Sequence, residues 1–159
     1  MSNRVLISLQ DGLQEPEWLS KIEDFENKVL EKLGYDGEEI SIFFCNDEFI
    51  QEYNKNDRGI DAPTDILEYE NGDSYEDEDG NSWLIAGDML LSLETLPKNA
   101  EYFNVSENEE LKRLLIHGTL HLNGMDHGES HVEPGIMPTD EMLKLQEEVL
   151  KSFSEVKLI

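Results

Sequence analysis

HGTLHLNGMDH, residues 117–127, holds three of the chain's four histidines. His117 and His121 are four residues apart. On an α-helix that spacing sets the two rings about 40° apart in azimuth and one turn apart in height, so both share one face. Gly124 follows a turn later, and glycine adopts the left-handed conformation that ends a helix and turns the chain. Such a turn brings His127 round towards the first two rings. Three imidazoles can then meet at one point, about 2.0–2.1 Å from a zinc-like ion.

Three protein ligands leave a fourth position open. Structural zinc sites are usually closed, whereas catalytic ones keep that position for water, whose pKa the ion lowers towards about 7. The pattern therefore points to hydrolysis rather than metal storage. His131 lies four residues beyond His127 in a Gly/Pro/Glu-rich loop, and is read as solvated rather than as a further ligand. Asp126 either orients a ligand ring or stabilises the turn. The metzincin peptidases share the spacing, as HExxHxxGxxH, but Gly118 stands where they carry their glutamate base. A zinc peptidase without that carboxylate lacks the group that deprotonates its water.

Outward from this stretch, Ser106 and Glu109 make a capping box ahead of a helix over about 107–123, with Leu111, Leu114, Leu115 and Leu120 towards the core. A last helix, about 139–153, carries Met142, Leu145, Val149, Leu150 and Phe153 on one face. Residues 4–9 read as a strand. Pro16 opens a helical pattern through Trp18, Leu19, Ile22, Phe25, Val29, Leu30 and Leu33, stopped by Gly34. EISIFFC, 39–45, reads as a buried strand, after which Asn46 or Asp47 caps a short helix carrying Phe49, Ile50 and Tyr53. NKNDRGIDAP, 54–63, has turn composition. TDILEY, 64–69, and SWLIAGDMLL, 82–91, read as two strands joined by an acidic, solvated hairpin loop that matches no EF-hand spacing. Ser92 to Phe103 is helical in part, with Pro97 limiting its start. Four strands among helices give an α+β class, and with no repeat or linker the simplest organisation is one domain over 1–159.

The composition narrows the function. At 159 residues and 38% hydrophobic the chain can hold a core. Its 37 acidic and 12 basic residues give a net charge of −25, which repels nucleic acid and anionic membranes at long range. A DNA-coating role is excluded on that ground. A single cysteine, Cys45, permits no internal disulfide, and is read as a core thiol in a reducing cytoplasm. No apolar stretch approaches the roughly 18 residues of a membrane span, and the short apolar run 5–9 is too brief for a signal peptide.

LLIHGTLHLNGMDH, residues 114–127, resembles the signature of the YbeY family of bacterial endoribonucleases involved in ribosomal RNA maturation. NKNDRGIDAPTDIL, 54–67, resembles that family's segment of an asparagine, an arginine and then D-x-PTD-V/I-L. AGDMLLS, 86–92, resembles its LGDI-type strand. The three blocks agree in order and spacing, and the likeness covers most of residues 40–127. It implies a small mixed sheet packed with helices, the histidine helix beside it. It implies that His117, His121 and His127 are metal ligands, with one divalent ion per chain, zinc by the chemistry of three imidazoles. Arg58 matches the family's functional arginine, and a guanidinium can grip phosphate in a bidentate fork. The alternative for Arg58 is a loop ion pair with Asp57, Asp61 or Asp65. Asp65 is expected to shape the turn and strand start, and Asn54 to cap or brace the loop. Asp57 replaces an aromatic usual in the family, the segment 70–81 looks like an expanded loop, and residues 128–138 replace an acidic run.

The activity implied is metal-assisted cleavage of single-stranded RNA, with His117 and Arg58 as catalytic residues and the base unassigned. Metal-activated water or the ribose 2′-hydroxyl is the nucleophile. Because affinity for RNA comes largely from neutralising phosphates, a −25 chain is expected to bind isolated RNA weakly. The ion, Arg58 and Lys55 make the site locally positive, and a ribosomal or ribosome-associated protein is expected to present the RNA. Two other classes stay open on the residues alone: a non-catalytic ribosome-assembly factor with a structural metal, and a metallohydrolase of another phosphate ester or an amide.

Overall fold

A computed structural model describes residues 2–128, 132–133, 135–136 and 138–159. His131 lies outside the described residues. Among the described residues the elements run β1 (Arg4–Leu9), a 3-10 turn (Leu19–Lys21), α1 (Ile22–Lys32), β2 (Glu38–Cys45), α2 (Asp47–Arg58), β3 (Ile66–Glu70), β4 (Ser74–Glu76), β5 (Ser82–Ser92), α3 (Thr95–Phe103), α4 (Glu107–Leu122) and α5 (Glu141–Ser152). The five strands form one mixed sheet. β1 pairs with β2 and β2 with β5, both in parallel, while β3 and β4 pair antiparallel with β5. The α+β expectation holds, with β4 as a fifth strand.

The alternation of each strand divides the apolar residues between two faces. Val5, Ile40, Ile42, Phe44, Ile66, Met89 and Leu91 form the main core with α1, α4 and α5. Phe43, Cys45, Leu67, Tyr69 and Leu90 line the opposite face, partly covered by Phe49 and Ile50 of α2. Cys45 is fully buried there, as expected of a core thiol.

Three local expectations need correction. The first helix begins at Ile22, with a 3-10 turn ahead of it and no helix at Pro16. Asn46 caps α2, its side chain accepting from the Phe49 N–H, but the helix runs through the polar stretch to Arg58. It stops at Gly59, which has a positive φ of 72° and donates to the Asn54 and Lys55 carbonyls. Turn composition at 54–58 yields to tertiary packing, since Asn54 is buried and its amide donates to the Ala62 carbonyl at 2.9 Å. The acidic segment is also more than solvated loop. β4 pairs with β5, and Asp77 accepts from the backbone N–H groups of Asp79 and Asn81 and from the Trp83 indole, each at 2.9 Å. Arg4 stacks over the Trp83 ring at 4.1 Å and donates to the Tyr75 hydroxyl at 2.7 Å.

α4 presses closely onto the sheet. A Cβ at Gly118 would stand 2.5 Å from Met89 Sδ and 3.0 Å from Ile66 Cδ1. The residue that displaces the peptidase glutamate therefore faces the core, where no side chain fits and no base could reach the cleft. No helix among the described residues is long and apolar enough to cross a membrane.

Candidate active site

The end of α4 brings the three histidines together. Ser106 caps the helix by accepting from the Glu109 N–H, and Leu111, Leu114, Leu115 and Leu120 are all buried. At its other end Gly124 takes a φ of 86°. The Gly124 N–H donates to the His121 carbonyl and the Met125 N–H to the Leu120 carbonyl, both at 3.0 Å. This is a Schellman turn, and it returns the chain so that His127 meets His117 and His121. Ring centroids are 4.5 Å apart for His117–His121, 5.3 Å for His117–His127 and 5.2 Å for His121–His127. One nitrogen of each ring lies within 4.8 Å of one from each of the others.

The rings have the chemistry of ligands. The Gln146 side-chain nitrogen of α5 donates to Glu147 Oε2 at 3.0 Å, which turns its oxygen onto His117 Nδ1 at 2.6 Å. Nδ1 must then carry the proton, leaving the Nε2 lone pair to face the cluster. Burial pushes the His117 pKa down to about 4, with His121 and His127 adding to it against the Gln146 bond. Burial, followed by His127, lowers that of His121. Both rings are neutral at pH 7, the form that binds a metal.

A cleft of about 510 Å³ opens over the cluster, with Arg58, Glu68, Arg113 and Gln146 among its walls. Arg58 ends α2 and is 44% exposed; its ion pair runs to Glu68, with Nη2 3.5 Å from Oε2. The three aspartates weighed as its partners are engaged elsewhere. Asp57 accepts from the Tyr69 hydroxyl at 2.6 Å, and Asp61 from the Gln51 amide at 3.1 Å. Asp65 accepts from the Ile66 N–H and the Asn99 amide, both at 2.7 Å, and so shapes the start of β3 as expected. Arg113, the second guanidinium in the cleft, is held by Glu110 at 2.5 Å and Glu147 at 3.1 Å. Asp126 takes the turn role, accepting from the Gly128 N–H at 3.1 Å.

Sequence reasoning missed Glu68 and Gln146. Glu68 is 8% exposed, and burial pushes its pKa up to about 7, Arg58 opposing and Asp65 adding. Its Oε1 lies 3.8 Å from His117 Nε2. Strand alternation could have found it, since Glu68 shares a strand face with Ile66, the face that meets α4. Gln146 could have been found as the polar residue four after Met142 and three before Val149, on the buried stripe of α5.

The sequence model of the family described as Endoribonuclease YbeY matches residues 7–154. The chain belongs to the YbeY family. A curated YbeY relative, "Endoribonuclease YbeY" of Treponema denticola, is 46% identical over 99% of this chain and 98% of its own length. The YbeY protein of Treponema pallidum is 41% identical over 97% of this chain and 92% of its own, and that of Aquifex aeolicus 35% identical over 79% and 78%. The solution structure of TM1509 from Thermotoga maritima shares the fold, with a TM-score of 0.58 and 24% identity over 95% of this chain and 90% of that one.

Proposed function

We propose that this chain is a metal-dependent, single-strand-specific endoribonuclease acting in ribosomal RNA maturation, at the 3′ end of the small-subunit RNA, and in ribosome quality control. Membership of a family whose curated relatives are named endoribonucleases supports the reaction class. The observation that carries the mechanism is the convergence of three histidine nitrogens within 4.8 Å beside an arginine in one cleft.

His117, His121 and His127 would hold one divalent ion, zinc on the preference of that ion for three neutral imidazoles and an open position. When bound, it supplies Lewis-acid polarisation of the scissile phosphate and activation of the nucleophile. The chain's own residues do the rest. Gln146 fixes the tautomer and the orientation of His117. Arg58 offers guanidinium donors to a phosphate oxygen, where charge grows in the transition state.

The net charge of −25 argues against strong binding of naked nucleic acid. The substrate is therefore presented by the ribosomal small subunit or a ribosome-associated protein, in the cytoplasm, and neither DNA nor a membrane is a partner. A labelled single-stranded fragment spanning the 3′ end of small-subunit ribosomal RNA tests the reading. Metal-loaded protein should cut it, spare the same sequence in a duplex, and lose activity to a chelator and regain it with zinc. Equal cutting of the duplex, or cutting that survives full metal removal, would contradict it.

A further inference from the structure

The cleft holds a carboxylate oxygen whose position calls for a ligand. Glu68 is 8% exposed. Its Oε2 faces Arg58, but its Oε1 is buried without a hydrogen-bond partner among the described residues. A buried polar atom left unpaired is destabilising, and such atoms in native proteins call for an explanation. Oε1 lies 3.8 Å from His117 Nε2, the nitrogen that the Gln146 contact leaves free to hold an ion. Glu68 does not join the histidines in the group whose donor atoms all lie within 4.8 Å of one another. It stands beside the donor set, on the cleft side. The helix position that carries the base in zinc peptidases is closed here by Gly118 against Met89. β3, packed against α4, supplies a carboxylate from a different element.

We propose that Glu68 is a catalytic residue that orients the attacking nucleophile and takes its proton. The nucleophile is a water or the ribose 2′-hydroxyl. Its O–H bond breaks, the proton passes to Glu68 Oε1, and its oxygen forms the new bond to phosphorus. The bond from phosphorus to the leaving ribose oxygen breaks, that oxygen takes a proton from solvent, and Glu68 returns its own proton to solvent. The protons balance, with one water consumed if water attacks and none if the 2′-hydroxyl does. Arg58, 44% exposed and joined to Glu68 by a 3.5 Å contact, is open to the phosphate on the same wall.

This inference rests on the nuclease reading and is tested with Glu68→Gln, which keeps an oxygen for Arg58 and removes the base. With zinc-loaded protein and a labelled single-stranded RNA, kcat should fall about 100-fold or more while KM stays within about threefold of wild type. Zinc affinity, read without RNA by competition with a chelator, should also stay within about threefold, because Glu68 stands outside the donor set. Glu68→Ala should lose as much kcat. Zinc affinity lowered about tenfold or more would make Glu68 a metal ligand and overturn the proposal. A raised KM with kcat retained would reduce it to a partner of Arg58, and unchanged kinetics would leave it no role. A wild type that cuts RNA beside a Glu68→Gln variant that cuts equally overturns this inference alone. A metal-loaded wild type that does not cut overturns the nuclease reading and, with it, this one.

Discussion

Glu26 on α1 is fully buried, and burial raises its pKa from 4.5 to about 8, with the Thr119 contact opposing and Glu38 adding. The Thr119 hydroxyl, which also contacts the Leu115 carbonyl at 2.7 Å, donates to Glu26 Oε1 and offsets only part of the burial cost. Folding favours the protonated form, so its stabilising contribution is complete below the unfolded value near 4.5. It is lost as pH rises through about 8. At about 1.4 kcal/mol per unit, the loss by pH 7 is about 3 kcal/mol. Glu26→Gln stays neutral at every pH and keeps an acceptor oxygen for the Thr119 hydroxyl, but leaves its amide N–H groups unpaired, a cost of about 1 kcal/mol. The variant should therefore gain about 2 kcal/mol over wild type at pH 7, or about 4–8 °C in Tm. At pH 5 the gain should vanish or reverse slightly. Thermal melts of both proteins at pH 5, 6, 7 and 8 make the test, and the difference between them removes the other titrating groups. A Tm difference that does not grow with pH, or a variant less stable than wild type at pH 8, would refute a protonated Glu26.

Other outcomes follow from the site and its supports. Gln146→Leu should weaken zinc binding about 10–100-fold by freeing the His117 ring, read by chelator competition; unchanged affinity would remove Gln146 from the site. Gly118→Ala should cost about 1–3 kcal/mol in urea unfolding, since the new methyl meets Met89 and Ile66. Arg58→Ala should leave zinc affinity unchanged while lowering RNA cleavage, if the guanidinium grips the phosphate as proposed; a loss of bound zinc would contradict that role. Raising salt should weaken any binding of isolated RNA, because what binding there is comes from phosphate neutralisation; salt-insensitive binding would contradict the expected need for a presenting partner.

The histidine cluster was legible in the sequence because it is almost wholly local. Helical spacing sets His117 beside His121, and one glycine turn supplies His127, so eleven residues carry the geometry. β1, β2 and β5 were legible from their apolar content, and the caps Asn46 and Ser106 from their side-chain chemistry. What escaped depended on distant partners. The last turn of α2 reads as loop until the Asn54 amide is seen bracing Ala62. β4 reads as charged loop until Tyr75 is seen donating to Glu39 at 2.5 Å, beside Arg4 and Trp83. Glu68 looks like one more acid in an acidic stretch until the sheet sets it against His117. Gln146 is a polar residue on a buried stripe until α5 packs on α4. For Arg58 the sequence offered three nearby aspartates, and the fold paired it instead with a glutamate ten residues away.

The most direct test is cleavage of a labelled single-stranded ribosomal RNA fragment by metal-analysed protein, comparing wild type with His117→Ala and Arg58→Ala. The account predicts that wild type carries about one zinc per chain and cuts, that Arg58→Ala keeps the zinc and cuts poorly, and that His117→Ala loses both zinc and cutting while staying folded. A zinc-loaded wild type that leaves the RNA intact, or a His117→Ala variant that cuts as well as wild type, would contradict it.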